Sequence, residues 1–75
     1  MAKTTSELIT LAGTGANIVI DAATKTTTEI INIVGVVGRK NGNITIKNCN
    51  KKTTIDLLTI CRVYPNSITL DFTER

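Results

Sequence analysis

Apolar residues recur at helical spacing in three stretches of the chain. In the middle stretch, Ile30, Ile31, Ile33 and Val34 form one stripe of a helix. The corresponding stripes are Leu8, Ile9, Leu11 and Ala12 before it, and Leu57, Leu58, Ile60 and Cys61 after it. Only the middle stripe continues, through Val36 and Val37, as expected of a helix with a neighbour on each side. The pattern therefore predicts three helices, of which the second is the most apolar.

A threonine followed three residues later by an acid marks each helix start. The pairs are Thr4 and Glu7, Thr26 and Glu29, and Thr53 and Asp56. In such a capping box the hydroxyl accepts from the N3 amide and the acid accepts from the N-cap amide, although Asp56 is short for that return bond. A catalytic carboxylate cluster is the alternative interpretation, but acids in a first helical turn favour capping. Predicted helix stops are Gly13 and Gly15, Gly38 and Gly42, and Pro65-Asn66.

Strict alternation follows each helix and predicts a strand with one apolar and one mostly polar face. The apolar positions are Ile18 and Ile20, Ile44 and Ile46, and Ile68 and Leu70. The polar face consists of Asn17, Val19 and Asp21, then Asn43, Thr45 and Lys47, then Ser67, Thr69 and Asp71. In register these residues form three rows across the sheet, and the row Asp21-Lys47-Asp71 alternates in charge.

The strings KTTSELITL, KTTTEIINI and KTTIDLLTI, which begin at Lys3, Lys25 and Lys52, show that the same unit occurs three times. Strands joined through helices run parallel, with right-handed crossovers. Because the strands alternate, one sheet face must stay open to water. We therefore expect an α/β fold with a three-stranded parallel sheet in the order 1-2-3 and all helices on one face. The chain would be a single domain of three αβ repeats, approximately 3–23, 24–49 and 50–75, forming a mini-solenoid.

The stretch KNCNKKTTIDLLTICRVYPNSITLDF resembles the cysteine-containing subtype of leucine-rich repeats. Ile44 and Ile46 match the strand positions of that family, Cys49 the Cys/Asn position, Thr53 the helix start and Pro65-Asn66 the turn. In the first copy Ala23 stands where the cysteine would be. The resemblance implies a leucine-rich-repeat-like solenoid. The repeated string also resembles small uncharacterised bacterial proteins built from K-T-x-x-E-L-I repeats, which imply no activity.

The composition of the chain limits the classes of partner and the cellular compartment that we expect. The chain has 75 residues, close to the lower limit for a self-sufficient core, and its only aromatic residues are Tyr64 and Phe72. The net charge of +3 comes from scattered basic residues, so we expect no nucleic-acid partner. No apolar run approaches the roughly 20 residues of a membrane span. With no signal peptide apparent either, we expect a cytoplasmic protein without a membrane partner.

Residues with catalytic chemistry are few. The chain lacks histidine, and Cys49 and Cys61 lack the spacing of a zinc site. One disulfide between them fits an oxidising compartment and two reduced thiols fit a cytoplasm. Cys61 is expected to be buried and inert, whereas Cys49 has either a packing or a redox role. Gly13-Thr14-Gly15 suggests a phosphate loop, but it closes a helix and precedes a strand, which favours a C-cap. We expect no enzyme, cofactor or metal.

Three functions fit this pattern. The first is a non-enzymatic protein-interaction or scaffolding module that binds a protein of unknown identity through the polar sheet face or the sheet edges. The second is a self-assembling structural protein, and the third is a small regulator or inhibitor of a larger complex. Three repeats without a cap leave two sheet edges open, so we also expect a homo-oligomer, with a dimer favoured.

Overall fold

The computed structural model describes residues 4–73, which form three α-helices and one three-stranded sheet. The helices are α1 (Thr5–Ala12), α2 (Thr27–Arg39) and α3 (Thr54–Cys61), and the strands are β1 (Ile18–Asp21), β2 (Ile44–Lys47) and β3 (Ile68–Leu70). All pairs are parallel and the order is β1-β2-β3, so the predicted α/β class and strand order are confirmed. Lys3 and the last two residues of the third predicted repeat lie outside the described residues.

The strands are shorter than predicted, although their register places the expected residues side by side. Val19 pairs with Thr45 and Thr45 with Thr69, while Asp21 pairs with Lys47. Asn17 precedes β1, and Asp71 follows β3. Ser67, predicted to begin the third strand, instead ends a single turn of 3-10 helix, Pro65–Ser67, because the proline start favours a turn over extended backbone.

One hydrophobic cluster joins the helices to the sheet. Its fully buried isoleucines are Ile30, Ile33, Ile44, Ile46 and Ile60. Along β1 the burial alternates, with Ile18 and Ile20 buried and Val19 exposed, so the helices cover one face of the sheet. The middle helix contacts both α1 and α3. It contributes the largest buried set of the helices, as its longer apolar stripe predicts.

The outer helices depart from the predicted stripes. Leu11 of α1 is 49% exposed and Leu58 of α3 is 51% exposed, although both were expected to face the core. Cys61, also predicted to be buried, is only partly so, as is Ile31. Helical periodicity identifies a stripe but not the width of the surface that covers it, and α1 and α3 each have one helical neighbour within the described chain.

Local hydrogen bonds fix the helix starts as predicted. Complete capping boxes join Thr4 to Glu7 and Thr26 to Glu29. In α3 the Thr53 hydroxyl accepts from the Asp56 N–H at 3.2 Å. The predicted stop at Gly38 is wrong, because α2 runs on to Arg39 and buries Gly38. The chain reverses just beyond, where Asn41 has a φ of 59° and the Gly42 N–H donates to the Val37 carbonyl.

One extra residue separates β2 from the turn that follows it. Asp21 leads directly into the 3-10 turn Ala22–Thr24, whereas Lys47 is followed by Asn48 before the turn Cys49–Lys51. Asn48 adopts the left-handed conformation with a φ of 57°. The buried counterpart of Cys49 is therefore Ala22, and not Ala23 as the sequence comparison suggested.

Candidate functional site: the open sheet face

The centre of the open face is the row Val19, Thr45 and Thr69, which the strand register places side by side. Val19 is 62% exposed and Thr69 is also exposed, while Thr45 is partly buried between them. Threonine carries a methyl group beside its hydroxyl, so this row presents apolar groups on a face that is otherwise polar. An exposed valine on an otherwise polar face is an anchoring group that a partner could cover.

Asparagine side chains connect the strands along one border of this row. The Asn43 N–H donates to Asn17 Oδ1 at 2.9 Å, and Thr69 Oγ1 donates to Asn43 Oδ1 at 3.4 Å. The Ile18 N–H donates to the Asn43 carbonyl at 2.9 Å, which ties the same residues into the backbone ladder. Ser67, which the sequence assigned to this border, is held in its turn by a 3.0 Å bond from its N–H to the Tyr64 carbonyl.

Two hydrogen bonds hold the Asp21 carboxylate on the open face. Its Oδ1 accepts from the Ala23 N–H at 2.8 Å and from Asn48 Nδ2 at 3.0 Å. The Asn48 bond, followed by the Ala23 bond, lowers the pKa of Asp21 from its usual value, and the nearby Lys47 adds a smaller effect in the same direction. Asp21 therefore presents a fixed carboxylate at neutral pH.

Asp71 extends the ladder beyond the end of β3. Its N–H donates to the Ile46 carbonyl at 2.8 Å and its carbonyl accepts from the Cys49 N–H at 3.1 Å. Its Oδ1 accepts from the Thr73 N–H at 2.8 Å. Asp71 thus lies beside the end of β2, where Lys47 follows Ile46, and the charge row predicted from the sequence is brought together by the backbone.

Asn48 is the residue of this site that sequence reasoning missed. It is buried, and its amide joins β2 to Asp21 of β1. A weak signal was present: Ile18 aligns with Ile44 in the strands, but Thr26 aligns with Thr53 in the helix starts, one residue further on. An extra residue must therefore stand after β2, and asparagine is among the few residue types that tolerate left-handed backbone.

Behind the face, Cys49 is fully buried, and its Sγ donates to the Ile46 carbonyl at 2.9 Å. Burial raises the pKa of this thiol, so the thiolate is disfavoured. The geometry therefore favours the packing role of Cys49 over the redox role. Both cysteines are free thiols.

Comparison with protein-family models, with curated proteins and with solved structures finds no match for this chain. Within residues 4–73 no group of His, Cys, Asp and Glu side chains is placed to hold a metal ion. None of the helices in that range has both the length and the apolar character needed to cross a membrane.

Proposed function

We propose that the chain is a non-enzymatic protein-interaction module, built as a leucine-rich-repeat-like mini-solenoid, that binds a protein through its open sheet face. The observation that carries the proposal is the 62% exposure of Val19 on a face whose polar neighbours are already held by hydrogen bonds. A partner that covers Val19 gains free energy, because its apolar surface is removed from water.

Preorganisation supports this function. Asn17, Asn43 and Asp21 are held by bonds to neighbouring strands or turns. Side chains that are ordered before binding lose less conformational entropy on association, and this saving is about 0.5–1.5 kcal/mol for each immobilised side chain. The helices cover the opposite side of the sheet, so a partner would meet a rigid surface.

The chemistry of the face indicates what the partner must present. An apolar group would cover Val19 and the threonine methyls, while polar groups would meet the asparagine border on one side and the charge row of Asp21 and Lys47 on the other. This arrangement of an apolar centre with a polar rim is typical of protein interfaces.

The test compares the face with the helical side of the same molecule. Val19→Asp and Lys47→Glu change the face, while Thr10→Asp and Thr59→Asp place charges at exposed helix positions as controls. Immobilised wild-type protein is used to capture a partner from lysate, the partner is identified by mass spectrometry, and its Kd for each variant is measured with purified proteins. Circular dichroism checks that every variant is folded.

We expect the two face variants to weaken binding at least about tenfold, equivalent to about 1.4 kcal/mol, while the helix variants bind like the wild type. Equal affinity for all four variants would place the binding surface elsewhere. A partner lost only with the helix-side variants would contradict the proposal directly.

A further inference from the structure

Each helix has one flank toward the next helix and one toward the preceding helix. A hydrogen bond between α1 and α2 identifies the residues on each flank. Thr5 Oγ1 of α1 donates to Glu29 Oε2 of α2 at 3.0 Å. Thr5 and Ile9, one turn apart, therefore lie on the flank of α1 that faces the next helix, which we call the leading flank. Glu29 and Ile33, also one turn apart, lie on the flank of α2 that faces the preceding helix, the trailing flank.

Burial along the three helices follows this division. At the trailing position, Ile33 and Ile60 are 0% exposed, whereas Leu11, whose helix is the first of the layer, is 49% exposed. At the leading position, Ile9 and Ile31 are partly buried, whereas Leu58, whose helix is the last, is 51% exposed. The exposed leucines thus occupy contact positions that a neighbouring helix covers elsewhere in the same molecule.

We infer that a second copy of this chain supplies the missing neighbour, head to tail. The leading flank of α3 packs on the trailing flank of α1 in the next copy, and β3 lies beside the next β1. Leu58 then packs against Leu11 of the next copy. This contact corresponds to the one between the leading position of α1, Ile9, and the trailing position of α2, Ile33. The row Ile18, Ile44 and Ile68 continues into Ile18 of the neighbour, so that both the sheet and the helix layer extend.

The inequality of the flanks favours this arrangement over a two-fold dimer. A two-fold axis brings identical surfaces together, so it would set Leu11 against Leu11 or Leu58 against Leu58 and pair like strand edges antiparallel. The packing within the chain offers no precedent for either contact, because every neighbouring pair of helices and strands here is related head to tail. The two-fold dimer expected from sequence is a separate outcome of the test below.

Charge repulsion opposes the assembly and should make its extent depend on salt concentration. Stacking places Asp71 next to Asp21 of the following copy, and each chain carries a net charge of +3. Both repulsions lie near the surface and are screened by salt. The assembly should therefore grow with ionic strength.

The experiment uses sedimentation velocity on two variants that each block one flank. Leu11→Lys blocks the trailing flank of the first helix, and Leu58→Lys blocks the leading flank of the last. Thr10→Lys and Thr59→Lys are the controls, because they add the same charge at neighbouring exposed positions. Because both leucines are half-exposed, replacing them should leave the buried core intact. Circular dichroism checks that each variant is folded.

Head-to-tail packing predicts a wild-type mass that rises with concentration and salt, and two variants that are monomers of about 8.1 kDa alone. Mixed in equal amounts, the two variants should form a dimer, because Leu58 of one and Leu11 of the other complete a single interface. A monomeric wild type at every concentration and salt, or a mixture that stays monomeric, would overturn the proposal. Self-association of either variant alone would instead indicate a two-fold dimer. These flanks lie on the helices, so each result is independent of binding at the open face.

Discussion

The ring of Tyr64 lies directly over the Cα of Gly38. A methyl group at Gly38 would overlap Cγ and both Cδ atoms of that ring. Tyr64 immediately precedes the turn Pro65–Ser67, which leads into β3. The contact with Gly38 therefore packs the segment before β3 against α2. Gly38 therefore serves close packing inside the helix and does not terminate it.

The Gly38 contact gives a prediction with an internal control. Gly38→Ala should lower the free energy of unfolding by about 1–3 kcal/mol, because the methyl displaces the Tyr64 ring. Gly35 lies in the same helix, but a methyl there would meet nothing within 4 Å. Gly35→Ala should therefore raise the free energy of unfolding by about 0.5–1 kcal/mol. Urea denaturation measures both.

A double variant tests the cause of the effect. In a Tyr64→Ala background the ring is absent, so adding Gly38→Ala should cost little or become stabilising. If Gly38→Ala costs the same with and without the Tyr64 ring, the contact is not the reason for the glycine.

Asn48 has two structural roles, a left-handed backbone and a side-chain hydrogen bond, and different substitutions can test them separately. Its left-handed backbone favours glycine over alanine by about 1–2 kcal/mol, and its side-chain amide donates a hydrogen bond to the Asp21 carboxylate at 3.0 Å. Asn48→Gly should lose only the bond, and Asn48→Ala should lose both. Asn41 is left-handed but exposed, so Asn41→Gly should be nearly neutral. Equal losses for Asn48→Gly and Asn48→Ala in urea denaturation would contradict this division.

The periodic features of the fold could be predicted from sequence because each depends on local residues. Capping threonines mark the helix starts, strict alternation marks strands such as Ile44–Lys47, and a helix between successive strands requires parallel order. Repetition of one unit predicts that Val19, Thr45 and Thr69 lie side by side, and the strand register agrees.

Features that depend on contacts between distant residues could not be predicted. Gly38 has the sequence signature of a helix stop, and only the position of Tyr64 shows why the helix continues. Leu11 and Leu58 belong to apolar stripes, but their exposure depends on which helices are neighbours. The role of Asn48 follows from an insertion of one residue, visible only when strands and helix starts are aligned separately.

Thiol reactivity provides a direct check on burial. Cys49 is fully buried and donates to the Ile46 carbonyl, whereas Cys61 is partly exposed. An aromatic disulfide reagent should therefore modify Cys61 in the native protein, at least ten times faster than Cys49, since reaction at Cys49 requires opening of the core. Cys61→Ser should remove the fast phase, and Cys49→Ser should keep it. A fast phase that survives Cys61→Ser would show that Cys49 is accessible.

At acidic pH the free energy of unfolding should fall, and this fall (the acid limb) depends on two carboxylates that are held by hydrogen bonds. The Thr26 N–H, followed by the Thr5 hydroxyl, lowers the pKa of Glu29 from its usual 4.5, and Asn48 with Ala23 lowers the pKa of Asp21 from its usual 3.8. A lowered pKa in the folded state means that the unfolded chain binds protons more readily, so stability declines as pH falls. The contribution of these groups is present above pH 4.5 and is lost below it, as each folded pKa is passed.

Urea denaturation over a series of pH values should show a free energy of unfolding that is steady from neutral pH to near 4.5 and declines in more acidic solution. Glu29→Gln and Asp21→Asn should each make this decline shallower, because the group that binds the proton is gone. Thr5→Val should make the Glu29 part of the decline smaller and end it at a higher pH, since the loss of the hydroxyl bond lets the folded-state pKa of Glu29 rise toward its usual value. An acid limb that is identical in the wild type and in all three variants would mean that other carboxylates control it.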